Sequence, residues 1–295
     1  MDDKPTLLVT VDVENWYNSR LFKQEAVRGL DGTKHLTNPL EDLNVVLDVF
    51  SKHGIKATFF VLGSLLEDYP EIPSLIEQAG HEVGMHAYHH KEFKQIAEFK
   101  QDLDRGLEAF RRVTGSKPRG YRHPYFMVNN QKLELLSQLY LYDASTVPSI
   151  HIPGHYGDPH APTKPTLHKG LVRLPLSVTP YTRLPAATGW YYRNIGYRYI
   201  KWILDSSLLR YGYAQICLHT WEFTHKEKLR GIPFYVFKNC GQPMSELCAR
   251  IAELAAGHKA RIEICSEYAQ RILRQEWAGV ATRVGEEKSL PPQNT

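Results

Sequence analysis

Two short stretches, far apart in the chain, hold the side chains best suited to chemistry. Val9-Thr10-Val11-Asp12-Val13-Glu14 is a β-branched apolar run that ends in carboxylates. Such a run reads as a buried strand carrying acidic groups to its C-terminal edge, which is where α/β proteins place their reactions. Gly84-Met85-His86-Ala87-Tyr88-His89-His90 sets two imidazoles, His86 and His90, four positions apart after another apolar stretch. That spacing lets both reach one metal ion if the chain turns helically between them. One carboxylate and two imidazoles make an open site for a divalent metal. Two plainer readings compete on equal terms: Asp12 caps the segment that follows, or the histidines belong to a solvated loop in a chain that has 14 of them.

Strands alternating with helices are needed to position these groups, and the sequence supplies them. Asn38-Pro39-Leu40-Glu41 reads as an N-cap, a proline at the first helical position and a reciprocal capping glutamate. Leu40, Leu43, Val46, Leu47 and Phe50 then recur at helical spacing until Gly54. Ala57 to Leu62 is short and continuously apolar, a strand buried on both faces. A helix from about Pro70 to Gly80 leads to the strand carrying His86. Ile96, Phe99, Leu103, Leu107 and Phe110 mark the next helix, stopped at Gly115, and another lies near Gln131 to Leu139. This order predicts a parallel sheet.

Residues 148–188 break the pattern, with eight prolines and with His151, His155, His160 and His168 around one strand, Leu171 to Leu176. Such a segment is expected to be a lid or binding loop, its irregularly spaced histidines being surface polar groups. Trp190, Tyr191, Tyr192, Tyr197, Tyr199 and Trp202 crowd the next helical stretch among Arg193, Arg198 and Lys201. Packing on the sheet with snorkelling basic side chains is the favoured reading; a face meeting a lipid-linked substrate is the sharper one. Tyr213 to His219 reads as a last buried strand ending in a histidine, and beyond Met244 a single helical pattern runs to about Trp277.

Composition sets outer bounds. With 295 residues, 42% hydrophobic and 23% charged, the chain can bury one large core or two modest ones, and one catalytic domain with a tail is expected. A formal charge of +4 with no basic run interleaved with aromatics gives no nucleic-acid footprint. The acidic start, Met1-Asp2-Asp3-Lys4-Pro5, has no export-signal pattern, and Cys217, Cys240, Cys248 and Cys265 form no Cys-x-x-Cys pair. Both features suit a reducing, cytoplasmic setting, with Cys217 as a small core residue.

Taken in order, the ends of these segments resemble the motifs of the polysaccharide deacetylase (NodB-homology) family, the metal-dependent carbohydrate esterases of family 4, over roughly residues 6–225. Val11-Asp12-Val13-Glu14 is similar to a subgroup's variant of the first motif, His86-Ala87-Tyr88-His89-His90 to the second, Arg122-His123-Pro124-Tyr125 to the third, Tyr142-Asp143-Ala144-Ser145 to the fourth and Cys217-Leu218-His219 to the fifth. The resemblance implies Asp12 as general base, Glu14, His86 and His90 as metal ligands, and Arg122 as the partner of Asp12. It further implies Tyr125 as a backbone oxyanion donor, Asp143 as the group that sets the catalytic histidine, His219 as general acid, and Leu218 as a wall around the acyl methyl. His89 carries no family role.

The expected fold is a distorted (β/α) barrel of the seven-stranded type over residues 1–235, with 148–188 as an irregular rim, a C-terminal helical extension over 236–283 and a disordered tail over 284–295. The expected activity is hydrolysis of an N-acyl, foremost N-acetyl, group from an amino sugar or glycan precursor, with one divalent ion, zinc first among candidates. Nucleic acid is not an expected partner, transient contact with a membrane surface is open, and so is the oligomeric state. A hydrolase of non-sugar C–N bonds of the cyclic imide or ureide type and a noncatalytic carbohydrate-binding barrel are the alternatives. The second is disfavoured because binding alone needs neither a base nor an acid.

Overall fold

The computed structural model describes residues 4–18, 38–152, 156–184, 187–226 and 232–287. The chain runs β1 (Thr6–Val13), α1 (Pro39–His53), β2 (Ala57–Val61), α2 (Gly63–Asp68), α3 (Ile72–Gln78), β3 (Glu82–Met85), α4 (Ile96–Thr114), β4 (Gly120–Tyr121), α5 (Asn130–Leu139) and β5 (Tyr142–Asp143). It continues through β6 (Thr166–His168), β7 (Leu171–Arg173), α6 (Gly189–Ile195), α7 (Tyr197–Tyr211), β8 (Tyr213–His219), α8 (Gln242–Gly257), β9 (Arg261–Ile262) and α9 (Cys265–Glu287).

Along the sheet the order is β6-β7-β5-β4-β3-β2-β1-β8, with β9 also on β1. Among the described residues only the β6–β7 pair is antiparallel; β7, β5, β4, β3, β2, β1 and β8 form seven parallel staves, with β9 a further parallel strand beside β1, the expected distorted barrel. Past β7 the chain bends toward β8, where the Ser177 N–H donates to the Gln215 carbonyl (3.1 Å) and the Cys217 N–H to the Ala187 carbonyl (3.0 Å). The sheet therefore curls most of the way round.

The period of two decides what faces inward. On β1, Leu7, Val9, Val11 and Val13 pack into the helix-side core with Phe50 of α1 and Phe59 of β2; full burial of each such side chain is worth roughly 1.5–3 kcal/mol. The alternate positions, Leu8, Thr10 and Asp12, point into the barrel. Its floor is Leu8, Phe60, Tyr142, Val172, Leu174 and Tyr213. Tyr142 lies so close over Gly120 that a Cβ there would stand 1.8 Å from its ring, so this inward position must be glycine. At α1 the N-cap and the proline at the first helical position form as the sequence predicts: Asn38 Oδ1 accepts the N–H groups of Leu40 and Glu41, both at 3.2 Å, and Gly54 ends the helix at φ +63°.

Three elements differ from expectation. The segment after β2 holds two short helices, α2 and α3, rather than one. The aromatic stretch is split at Gly196, φ +113°, into α6 and α7. The single C-terminal helix is broken by β9, which pairs with β1 at Thr6 and Leu7, ahead of the point, Val9, where β2 begins its pairing. Helical periodicity could not reveal this, because Ile262 fits either pattern.

Beyond β9, α9 plugs the barrel from below. The N–H groups of Cys265 and Ser266 donate to Thr58 Oγ1 (2.9 Å) and Glu82 Oε2 (3.1 Å), so interior side chains satisfy the helix's first donors, and Cys265 and Ala269 join the floor. Of the tail expected to be disordered, 284–287 lies in α9 and 288–295 lies outside the described residues, as do His155 and Pro185.

Candidate metal and catalytic site

The carboxyl ends of β1, β3 and β8 converge over the barrel's upper layer. His86 follows β3, and its Nδ1 faces the Arg122 carbonyl at 2.9 Å, which leaves Nε2 for a ligand. That Nε2 lies 3.9 Å from Glu14 Oε2, and His90 Nε2 lies 2.5 Å from the same oxygen. One ligand atom from each of Glu14, His86 and His90 falls within 4.8 Å of the others. The two imidazoles do not meet across a helical turn, as the spacing suggested. Residues 87–90 form a loop with Ala87 at φ +60°, and Asp102 of α4 accepts the Tyr88 and His89 N–H groups at 2.8 and 3.2 Å. The His89 ring turns away onto that carboxylate (2.8 Å).

The donor set fits a cation. His86 Nε2 is buried without a hydrogen-bond partner, an arrangement that costs free energy unless a further group completes it. Burial pushes the Glu14 pKa up, but His90, His219 and His86 outweigh it and hold the group ionised. Burial takes His86 down to about 4 against the pull of Asp12, so its ring is neutral at pH 7, as ligation requires.

Arg122 and Asp12 meet as expected. Arg122 is fully buried; it donates to Asp12 Oδ1 (2.8 Å), Thr10 Oγ1 (2.9 Å) and the Ala144 carbonyl (3.1 Å) and stacks over Phe60 at 4.3 Å. Burial alone would raise the Asp12 pKa, but Arg122, then His86 and His219, bring it down to about 2. Cys217 is core packing as expected, buried with Val147, Leu176 and Val178, and it also borders the site, its Sγ 3.5 Å from Asp12 Oδ2 and 3.4 Å from Arg122 Nη1.

His219 stands opposite Asp12 in the β1–β8 register, with Nε2 3.6 Å from Glu14 Oε1 and Nδ1 3.4 Å from Glu222 Oε2. Glu222 is fixed from both sides. It accepts the His219 backbone N–H and Arg193 Nε, each at 2.9 Å, while Arg193 Nη1 donates to the Val236 and Lys238 carbonyls. Burial works to lower the His219 pKa, but Glu222, with Glu14 and Asp12, lifts it to about 9. Arg193 is therefore no snorkelling residue; it is buried and paired.

Asp143 does not fill the role expected of it. Alternation on β5 turns Tyr142 and Ala144 into the interior cluster, so Asp143 faces away from His219, and Glu222 is the carboxylate there instead. Asp143 accepts Ser145 Oγ–H at 2.5 Å, Ser145 Oγ accepts the His123 N–H at 2.8 Å, and burial lifts its pKa to about 6. Leu218 likewise packs into the helix-side core and forms no wall of the cavity. Tyr125 sits at the cavity with its ring edge-on to His90, centroids 4.5 Å apart. It and Phe126 hold φ of +59° and +58°, a strained pair of the kind that clusters at functional sites. Lys132 Nζ braces this turn by bonds to His123 Nε2 (3.0 Å) and the Met127 carbonyl (2.8 Å).

Above these groups lies a cavity of about 320 Å³, walled by Phe126, Ile152, Tyr156, Trp190, Tyr191 and Trp221. Segment 148–188 thus supplies three lining residues, Ile152, Tyr156 and Thr188. Among the described residues its histidines form no metal group; His168 faces Glu134 and His151 faces the Gly157 carbonyl.

Gly189 opens α6 directly beside Glu222, and a Cβ there would stand 2.0 Å from Glu222 Oε2. Gly189→Ala is expected to push Glu222 off His219 and lower kcat on the order of 10²-fold with metal content unchanged, read by steady-state assay and metal analysis of the same preparation.

Residues 37–143 match the family model described as polysaccharide deacetylase, and 144–261 match one described as a domain of unknown function (DUF3473). The first match spans His86, His90, Arg122, Tyr125 and Asp143; the second spans His219 and Glu222; Asp12 and Glu14 precede both. The chain is 32% identical over 97 residues to a peptidoglycan-N-acetylglucosamine deacetylase of Bacillus cereus, covering 32% of this chain and 35% of the relative. It is 33% identical over 81 residues to the peptidoglycan-N-acetylmuramic acid deacetylase PdaA of Bacillus subtilis, covering 27% and 31%. The matches thus span about a third of the length of these relatives. The crystal structure of a candidate polysaccharide deacetylase from Mycobacterium smegmatis superposes with a TM-score of 0.64 at 24% identity, over 94% of this chain and 93% of that one, which establishes a shared fold.

Proposed function

We propose that this chain, whose residues 37–143 match the polysaccharide deacetylase family model, is a metal-dependent hydrolase that removes an N-acetyl group from an amino sugar of a glycan or glycan precursor. One observation carries the reading. A carboxylate paired with a buried arginine, Asp12, and a histidine set against a buried carboxylate, His219, stand in register on adjacent strands, beside three convergent metal-ligand side chains. The names of the matched relatives, which specify N-acetylated sugars of peptidoglycan, support the substrate class.

Amide hydrolysis needs an activated water, a polarised carbonyl and a proton for the leaving amine. Glu14, His86 and His90 would hold the ion, which when bound supplies Lewis acidity to the carbonyl and acidity to a water. Asp12 takes the water's proton, being ionised at any pH above about 2. His219 gives the proton on Nε2, the ring nitrogen on the Glu14 side, to the amine nitrogen, and Glu222 beside Nδ1 stabilises the charged ring until then. The Tyr125 backbone N–H is the proposed donor to the oxyanion. Zinc is the proposed ion, since two imidazoles and a carboxylate suit it.

The test is release of acetate from a panel of free, nucleotide-linked and lipid-linked acetamido sugars, before and after chelation. His86→Ala and His90→Ala are each expected to lose stoichiometric metal, while His89→Ala keeps it, its ring being engaged by Asp102. Equal metal content in the three variants would sink the ligand assignment, and acetate release undiminished by chelation would sink metal dependence.

A further inference from the structure

Helix α7 buries Ile200, Ile203, Leu204 and Leu208 against the sheet, yet its outward face is not polar. Trp202 is 46% exposed and Leu209 76%, seven positions apart and so on one line of the helix, and Ile195, just before the helix, is 59% exposed. Exposed Arg198, Lys201 and Arg210 flank that line; Lys201 pairs with Asp205, and Arg210 stacks on Tyr181, itself 85% exposed. No helix among the described residues is long and apolar enough to cross a membrane. Apolar side chains alternating with arginine and lysine, with tryptophan and tyrosine among them, are instead the composition of a helix that lies in a headgroup boundary.

The patch connects to the site. α7 runs antiparallel to β8, joined to it through Gly212, so its first turn lies at the end of the barrel that bears His219. From the cavity wall to the exposed face the rings form a row: Trp190 to Tyr191 at 4.9 Å between centroids, Tyr191 to Tyr199 at 6.0 Å, and Tyr199 to Trp202 at 6.5 Å. We infer that the outer face of α7 rests on an anionic lipid surface, with the row of rings leading from that surface to the cavity, so that the substrate is presented on a lipid anchor. This substrate class rests on the deacetylase reading; docking to the lipid surface does not.

Co-sedimentation with vesicles of phosphatidylcholine alone or with added phosphatidylglycerol tests it. Binding is expected only to the anionic vesicles and should be released by salt. Arg198→Gln should weaken it about fivefold, and Leu209→Glu should weaken it at least as much, while both variants keep wild-type turnover of a soluble acetamido sugar. No binding to either vesicle, or binding that both variants leave intact, overturns the inference. So does a dimer that Leu209→Glu dissolves in the absence of vesicles, or retention of a soluble acetylated oligosaccharide that Trp202→Ala abolishes while vesicles are ignored. Vesicle binding by a protein that releases acetate from no sugar would overturn the proposed activity and leave the docking surface standing.

Discussion

Asp12→Asn is expected to keep its metal and lose about 10²- to 10⁴-fold in kcat, the usual worth of a positioned proton acceptor. The asparagine oxygen can still accept the Arg122 N–H that Asp12 Oδ1 takes at 2.8 Å, so the side chain stays in place while its basicity goes. Asp12 belongs to a buried ion pair, however, and removing one charge of such a pair typically costs about 3–5 kcal/mol. Thermal unfolding should therefore move down as well, and turnover must be measured well below the variant's own midpoint. Metal content separates the two assignments made for β1: it should be retained in Asp12→Asn and reduced in Glu14→Gln. Loss of metal in Asp12→Asn would make Asp12 a ligand and leave the base unassigned.

The same pair predicts the acid limit of stability. Arg122 depresses the Asp12 pKa from 3.8 to about 2 in the folded protein. The stabilisation this provides is complete above the unfolded value and is lost as pH falls through about 2.

Much of this site was legible in the sequence, because strand alternation is a local rule. Asp12 and Glu14 differ by two positions, so one face had to carry both, and the parallel order of β1, β3, β4 and β8 brings their carboxyl ends to one rim. The same rule was available for the residues that were misjudged. Asp143 alternates with Tyr142 and Ala144, and once Tyr142 fills the barrel floor Asp143 must face outward; similarly, Leu218 lies between the inward Cys217 and His219. Registering those strands required knowing which apolar residue fills the floor, and that is set by the packing of α9 beneath the barrel. Nothing in the local pattern of Cys265 and Ala269 indicates that they plug it.

Glu222 and Arg193 escaped for a different reason. Glu222, three residues after His219, is a lone carboxylate in Thr220-Trp221-Glu222-Phe223, and an acidic residue just past a strand reads as solvent-facing unless its counter-ion is known. That counter-ion sits 29 residues earlier in a run of aromatic and basic residues that looks like a surface helix. The pairing is tertiary and leaves no periodic trace. Asp102 is similar: it lies on the polar-looking side of α4, yet it caps the loop that carries His86 and His90.

Replacement of that missed carboxylate gives the most discriminating pH experiment. Glu222, followed by Glu14 and Asp12, outweighs burial and lifts the His219 pKa from 6.5 to about 9. A group raised in the folded state contributes stability that is complete below its unfolded pKa and disappears as pH rises through the folded value, so the His219–Glu222 contact should be lost as pH passes about 9. If His219 is the acid, kcat should fall over the same interval. Glu222→Gln keeps the shape of the side chain and one acceptor oxygen, enough for either Arg193 Nε or the His219 backbone N–H but not for both, and removes the charge. The alkaline limb should then move to lower pH, with kcat at neutral pH falling on the order of tenfold or more as the protonated fraction and its orientation decline. His219→Ala should abolish that limb altogether, leaving a low rate that no longer titrates there. An unshifted limb in Glu222→Gln would mean that another group donates the proton. A limb that shifts upward would mean that Glu222 destabilises the charged ring, the reverse of what its position 3.4 Å from Nδ1 implies.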